Sequence, residues 1–226
     1  MRAALSVIIP TLNASQSLPD CFAALFEGLQ AGLIREVVVS DGGSRDATRA
    51  LAEAAGAVVR EGAPSRGGQM RRGADVAGGE WLLFLHADSV LPEGWAEAVR
   101  AQMARGGAAA FRLSFDARGP TPRLVAGWAN LRSRLFGLPY GDQGLLISRA
   151  DYDRVGGFAD IPLMEDVAMA RALGGRIVLL PLSLRTSAAR YAREGWLRRG
   201  GRNLWLLLCY LCGADPARLA ARYRRR

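Results

Sequence analysis

The sequence contains no lysine, and all 30 of its basic residues are arginine. It has one histidine and three cysteines, and no apolar run reaches the roughly 18–20 residues needed to span a bilayer. Cys21, Cys209 and Cys212 are too few and too unevenly spaced for a disulfide framework. Cys209 and Cys212 form a lone CxxC with no second pair or nearby histidine, so all three are expected as buried thiols in a reducing compartment. The start, MRAALSVIIPTLN, has too short an apolar run for a signal peptide and no small-residue cleavage site, which points to the cytoplasm. The first apolar run gives way to PTLNAS rather than GxGxxG, which argues against a dinucleotide dehydrogenase. The lysine-bearing glycine loop of a nucleotidyltransferase is likewise missing.

What is present is an ordinary globular composition, 50% apolar and 23% charged, in 226 residues. That length suits one compact domain, or one domain with an appendage, at ~100–200 residues per domain. Charge divides the chain. Residues 1–184 hold 19 arginines against 19 acids, whereas residues 185–226 hold 11 arginines against Glu194 and Asp215, so the net +9 sits wholly in the second part. A nucleic-acid groove would carry its charge through the fold, so a basic tail instead implies a local partner.

Four short β-branched runs, Leu5–Ile9, Glu36–Ser40, Ala57–Val59 and Trp81–Leu85, read as strands covered on both faces. A helix capped by Ser44 is expected through Ala55, another from near Gln69, and a third from Pro92 to Gly106-Gly107. Ala108–Phe115 reads as a strand, Leu124–Phe136 as a helix, Gly144–Ser148 as a strand, and Glu165-Asp166 as the start of a further helix. The alternation predicts an α/β fold, with a mixed but mostly parallel Rossmann-like sheet flanked by helices and ligand chemistry at the carboxyl ends of the strands. Asp41, Asp88 and Asp166 stand at such ends or in a helix's first turn. Each also has a plainer role, as a turn, an Asx-turn or a helix-dipole partner respectively.

Taken together, SVIIPTLN (6–13), VVVSDGGSRDAT (37–48), LLFLHADSVLP (82–92) and VGGFADIPLMEDVAMARAL (155–173) resemble the family 2 glycosyltransferases, inverting enzymes of the GT-A fold. NLRSRLFGLPYGDQG (130–144) and GADPARLAARY (213–223) are similar to a small bacterial branch labelled as arsenosugar-biosynthesis-type glycosyltransferases. The resemblance implies a nucleotide-diphosphate-sugar donor, probed first as a UDP-sugar, and transfer of one sugar to an acceptor hydroxyl. It sets Pro10, Thr11 and Asn13 against the base and Asp41 on base or ribose. In His86-Ala87-Asp88 it makes Asp88 the ligand of Mg²⁺ or Mn²⁺, with Ala87 beside the donor. Arg66 and Gly67 would meet the diphosphate, their alternative being a mobile surface loop. Gly157 would lie close to the donor sugar, and Tyr140, Asp142 and Gln143 would line the acceptor site. Asp166 becomes the general base, supported by Glu165. Two departures stand out: Ala14 replaces the usual Glu, and no Gln-x-x-Arg-Trp motif of the processive members is present. A non-catalytic sugar-nucleotide or membrane-surface binding module is the rival from another class.

Residues 1–184 are thus expected as the GT-A domain and 185–226 as a basic, apolar helical appendage. Its run Leu204–Cys212, nine apolar residues, is too short to cross a bilayer but must be covered by something. Either it docks on the catalytic domain, or it dips into an anionic membrane surface.

Overall fold

Near-continuous apolar character fits a strand covered on both sides, and the four runs expected as strands assemble into the centre and one flank of a sheet. A computed structural model describes residues 3–224; Met1, Arg2, Arg225 and Arg226 lie outside it. The first half runs β1 (Leu5–Thr11), α1 (Leu18–Gln30), β2 (Ile34–Asp41), α2 (Thr48–Ala54), β3 (Val58–Glu61), α3 (Arg66–Val76), β4 (Trp81–Phe84), α4 (Trp95–Arg105). It continues through β5 (Ala109–Phe115), α5 (Pro120–Phe136), β6 (Leu145–Ser148), α6 (Arg149–Arg154), α7 (Glu165–Ala172) and β7 (Val178–Thr186). Three helices follow: α8 (Ala189–Glu194), α9 (Trp196–Leu211) and α10 (Pro216–Arg224).

The seven strands form one sheet in the order β3-β2-β1-β4-β6-β5-β7, in which only β6 runs antiparallel to its neighbours. Alternation along β1 feeds both layers. Val7 and Ile9 join Leu83, Leu85, Trp95 and Val99 on one face, while Ile8 joins Leu82, Phe84, Met70 and Ile147 on the other. Chain order reverses between β1 and β4, and the β1–β4 ladder stops at Ile8–Phe84 while β1 continues beside β2 to Thr11–Asp41. A crevice therefore opens at the carboxyl ends of β1, β2 and β4, the switch point where ligands bind in open α/β sheets.

β7 runs past Leu184 to Thr186, so the basic appendage leaves directly from an edge strand. Its helices are only half docked. Leu206 and Leu207 of α9 bury against Met164 and Val167, beside Leu219 of α10, whereas Trp205, Leu208 and Leu211 are exposed. The expectation of three buried thiols is corrected here: Cys21 is buried, Cys209 is half-buried and Cys212 is exposed. Cys212 sits at the end of α9, past the turn that touches the domain.

Candidate active site

The wall beneath β1 and β2 is laced by hydrogen bonds. Asp41 is fully buried; its Oδ1 accepts from Thr11 Oγ1 (2.9 Å) and Ser44 Oγ (2.5 Å), and its Oδ2 from the backbone N–H groups of Gly43 (2.8 Å) and Ser44 (2.7 Å). Burial alone would raise the Asp41 carboxyl, but the bonds from Ser44, Thr11 and Gly43 outweigh it and hold it below the usual range. The Asp41 side chain thus organises the loop and offers no free face to a ligand. Ser44 does not cap α2. Its hydroxyl accepts from Asn13 N–H (2.8 Å), and the helix starts later, where Asp46 accepts from Thr48 N–H (3.1 Å). Asn13 takes a left-handed conformation (φ 51°) that its short polar side chain tolerates, and its Oδ1 accepts from Arg45 N–H (2.9 Å). Gln69, unremarked in the sequence except as a helix start, straps the strand ends by donating to Thr11 O and Ser40 O (2.8 Å each). Pro10 is half-buried at the end of β1.

Beyond β4 the turn His86-Ala87-Asp88-Ser89 closes with Ser89 N–H on His86 O (3.0 Å). Val90 then pairs with Arg185 by two backbone bonds (2.8 and 3.0 Å), which brings the start of the appendage alongside Asp88. The result is an open cleft of about 480 Å³ between Asn13–Ser17 on one side and Asp88, Ser187 and Arg190 on the other. Ser187 and Arg190 carry no sequence signal, because nothing in an arginine-rich stretch marks the one that borders the cleft. His86 is held neutral by burial and by the nearby charges of Arg66 and Arg190, which push its pKa well down. Its Nε2 is buried without a hydrogen-bond partner and faces the Gly141 backbone, where a Cβ would stand 2.6 Å away.

The opposite wall carries the remaining charged groups. Arg66 opens α3, so its stretch is a helix's first turn and not a mobile loop. Gly67 lets that turn approach the segment after α6: a Cβ there would lie 2.0 Å from Ala159 O. Arg66 keeps 43% of its side chain exposed, with Nε 3.7 Å from the buried Glu165 Oε1. Burial first, and then the Asp166 charge, push Glu165 up to about 7 against the pull of Arg66. Asp166 accepts from Gly141 N–H (2.8 Å) and Val167 N–H (2.7 Å), and with His86 and Tyr140 it borders a cavity of about 20 Å³, room for about one water. Met164, before this pair, has φ 68°, a strained conformation for a side chain of its size.

Asp142 has a buried Oδ1 without a partner; burial raises it to about 6, opposed by Arg132 and reinforced by Asp166. The Arg132 guanidinium stacks 3.5 Å from the Tyr140 ring centre. Gln143, expected on the acceptor wall, is instead fully buried, accepting from Ser133 Oγ (2.7 Å) and donating to Phe111 O (3.1 Å). It supports the turn from behind. Gly157 packs against Tyr152, where a Cβ would meet the hydroxyl at 2.9 Å. That hydroxyl accepts from Phe158 N–H (3.3 Å), and Gly157 does not line the open cleft.

Among the described residues, no three metal-ligating side chains converge. The donor set nevertheless fits a hard cation that arrives with its substrate's oxygens, since Mg²⁺ is commonly held by one or two carboxylates plus phosphates. Asp88, facing the open cleft, is the group that would hold it.

Comparison with known proteins agrees with this architecture. Glucosyl-3-phosphoglycerate synthase from Mycobacterium tuberculosis, solved with Mn²⁺, UDP and phosphoglyceric acid, superposes with TM-score 0.65 at 21% identity over 94% of this chain and 79% of that one. The mannosyltransferase PcManGT from Pyrobaculum calidifontis, solved with GDP-Man and Mn²⁺, gives TM-score 0.68 at 18% identity over 96% and 66%. PGL/p-HBAD biosynthesis glycosyltransferases of Mycobacterium bovis and Mycobacterium tuberculosis are 37% identical over 102 residues. That match covers 39% of this chain and only 36% of those relatives' length. The profile of Glycosyl transferase family 2 covers residues 6–139, well over half of the sequence. With its motifs on the strand ends of a GT-A sheet, the chain belongs to glycosyl transferase family 2.

Proposed function

We propose that the protein transfers one sugar from a nucleoside-diphosphate sugar, a UDP-sugar in the first instance, to an acceptor hydroxyl with inversion at the anomeric carbon. The observation that supports this reading is the grouping of Arg66, Asp142 and the Glu165-Asp166 pair, near enough to act on one another's charge and with Asp142 also in the field of Asp88, which lines the open cleft beside the switch point. Pro10, Thr11 and Asn13 would frame the base, with Asp41 fixing their loop from below. Ala87 would lie under the donor. Arg66 and Arg190 would face the diphosphate, Arg190 reaching across from the appendage. Mg²⁺ or Mn²⁺ at Asp88 would supply Lewis-acid stabilisation of the departing charge.

Asp166 would accept the proton of the acceptor hydroxyl as its oxygen bonds to the anomeric carbon. The bond to the diphosphate oxygen breaks on the opposite face, its electron pair leaving with the nucleotide. Gly141 N–H holds the base in place, and Glu165, paired with Arg66, sets the field around it. Tyr140 and Asp142 would meet the acceptor. In this reading residues 1–184 form the catalytic domain of a cytoplasmic enzyme, and residues 185–226 bring it to an anionic membrane surface.

Release of nucleoside diphosphate, followed by a coupled assay across UDP-, GDP- and dTDP-sugars with Mn²⁺, tests the reaction. Turnover that needs both metal and acceptor supports it. Tight donor binding without any release, with every sugar and acceptor tried, would make the protein a binding module instead.

A further inference from the structure

Helix α5 is spaced to bury one face and present another. Ala126, Ala129 and Ser133 turn inward, while Leu124, Trp128, Leu131 and Leu135 recur at four-, three- and four-residue intervals on the outside. Helix α9 packs beside it and repeats the pattern: Leu206 and Leu207 face the domain, and Leu197, Trp205 and Leu208 face out. These seven outward side chains are 44–70% exposed. Two adjacent helices with two tryptophans and five leucines in the open form the kind of apolar surface that marks an interaction site.

Charge says what covers it. Helices α5, α9 and α10 contain not one acidic residue. Arg123, Arg134, Arg198, Arg218 and Arg222 on them are exposed, and none makes an ion pair among the described residues. The two acids of the appendage are already occupied. Glu194 pairs with Arg199 and Arg202, and Asp215 accepts from the first N–H groups of α10 (2.7 and 3.0 Å). A second copy docked by a two-fold would set this face against itself, arginine against arginine. An anionic bilayer meets both features at once, taking the leucines and tryptophans into its interface and the arginines at its headgroups.

We infer that α5 and α9 together form one docking face for an anionic lipid surface. Resting on the membrane contact proposed for residues 185–226, this moves half of the contact into the catalytic domain. It also ties that contact to the acceptor side of the crevice. From the inner side of α5, Arg132 stacks on Tyr140 and Ser133 holds Gln143. From the inner side of α9, Leu206 and Leu207 pack on Met164 and Val167, which flank the Glu165-Asp166 pair. A bilayer under the outer faces therefore lies behind Tyr140 and Asp166, and the acceptor class it favours is a hydroxyl on a lipid-linked molecule.

The test is co-sedimentation of the full chain with phosphatidylcholine vesicles, with and without phosphatidylglycerol, at low and high salt. Wild type should bind only the anionic vesicles and should leave them as salt rises. Trp128→Ser combined with Leu131→Ser should lower partitioning roughly tenfold or more, as should Trp205→Ser combined with Leu208→Ser, with circular dichroism unchanged. Arg123→Gln with Arg134→Gln, both exposed and without an ion pair among the described residues, should weaken binding and flatten its salt dependence. If the α5 variants bind like wild type while the α9 pair is lost, α5 is no part of the face. If wild type stays in the supernatant with anionic vesicles at low salt, or forms a dimer that the α5 pair dissolves, the lipid assignment falls. Nucleoside-diphosphate release by the same samples reports the transfer reaction separately.

Discussion

The two walls of the crevice are built on opposite principles. Beneath β1 and β2 every side-chain oxygen of Asp41 has its partners, Gln69 bridges two carbonyls, and Ser44 and Asp46 tie one loop to the other, with Ser40 Oγ and Arg72 Nε the buried atoms left without a partner there. Across the gap stand two carboxyls raised by burial, three buried polar atoms without partners (His86 Nε2, Tyr140 Oη and Asp142 Oδ1), and the strained backbone of Met164. In the proposed reaction the first wall would hold the donor, and a dense bonded network keeps such a wall in one shape. The second would move a proton, and perturbed carboxyls and strain collect where groups are held away from their resting state.

Substitutions on each wall should therefore fail differently. The largest effect is expected for Asp166→Asn, which should lower transfer by ~10²–10⁴-fold with donor affinity kept within a few-fold, as read by steady-state kinetics beside calorimetry. A variant with more than about a tenth of wild-type turnover would move the base elsewhere, with Asp142 the next candidate. Asp41→Ala should instead destabilise the fold: it strands four donors in the interior, and a loss of about 3 kcal/mol, or roughly 6–12 °C in Tm, is expected in thermal melts. A stable Asp41→Ala with lost donor binding would return Asp41 to direct ligand contact. Gly141→Ala places a methyl where His86 Nε2 stands and shifts the N–H that holds Asp166. Turnover should drop about tenfold at nearly constant Tm.

The smallest effect concerns pH. Glu165 is raised to about 7, so the folded state holds a proton that the unfolded chain releases near its ordinary value, about 4.3. Stability from this group is thus present at low pH and is lost as pH rises through that window. Glu165→Gln should flatten the fall in Tm between pH 5 and 8 by a few degrees relative to wild type. An unchanged slope would mean that Glu165 titrates as an exposed carboxyl does.

The donor wall was the more legible in sequence. β1, β2 and β4 are apolar on both faces, and their ends carry turn residues at fixed offsets, so Asp41 and Asp88 announced themselves. A side chain that touches a ligand and one that holds a loop look alike in sequence: Asp41 and Gln143 are both polar and near the site, and burial, which the sequence does not print, is what sets them apart. β7 is hard to read in sequence because Pro181 interrupts its pattern, as suits the edge strand that it is. With β7 hidden, so was the pairing of Val90 with Arg185 that delivers Arg190 to the cleft. Long-range pairing of this kind leaves no local signal. The inward turn of Arg132 was equally silent, since its helix reads as amphipathic with or without it.

The division of labour between the walls has one direct test, calorimetric titration of UDP with Mn²⁺ into wild type, Asp88→Ala and Asp166→Asn. Metal-dependent binding lost in Asp88→Ala and kept within a few-fold in Asp166→Asn is the predicted result. Equal loss in both variants, or metal-dependent binding that survives in Asp88→Ala, would contradict it.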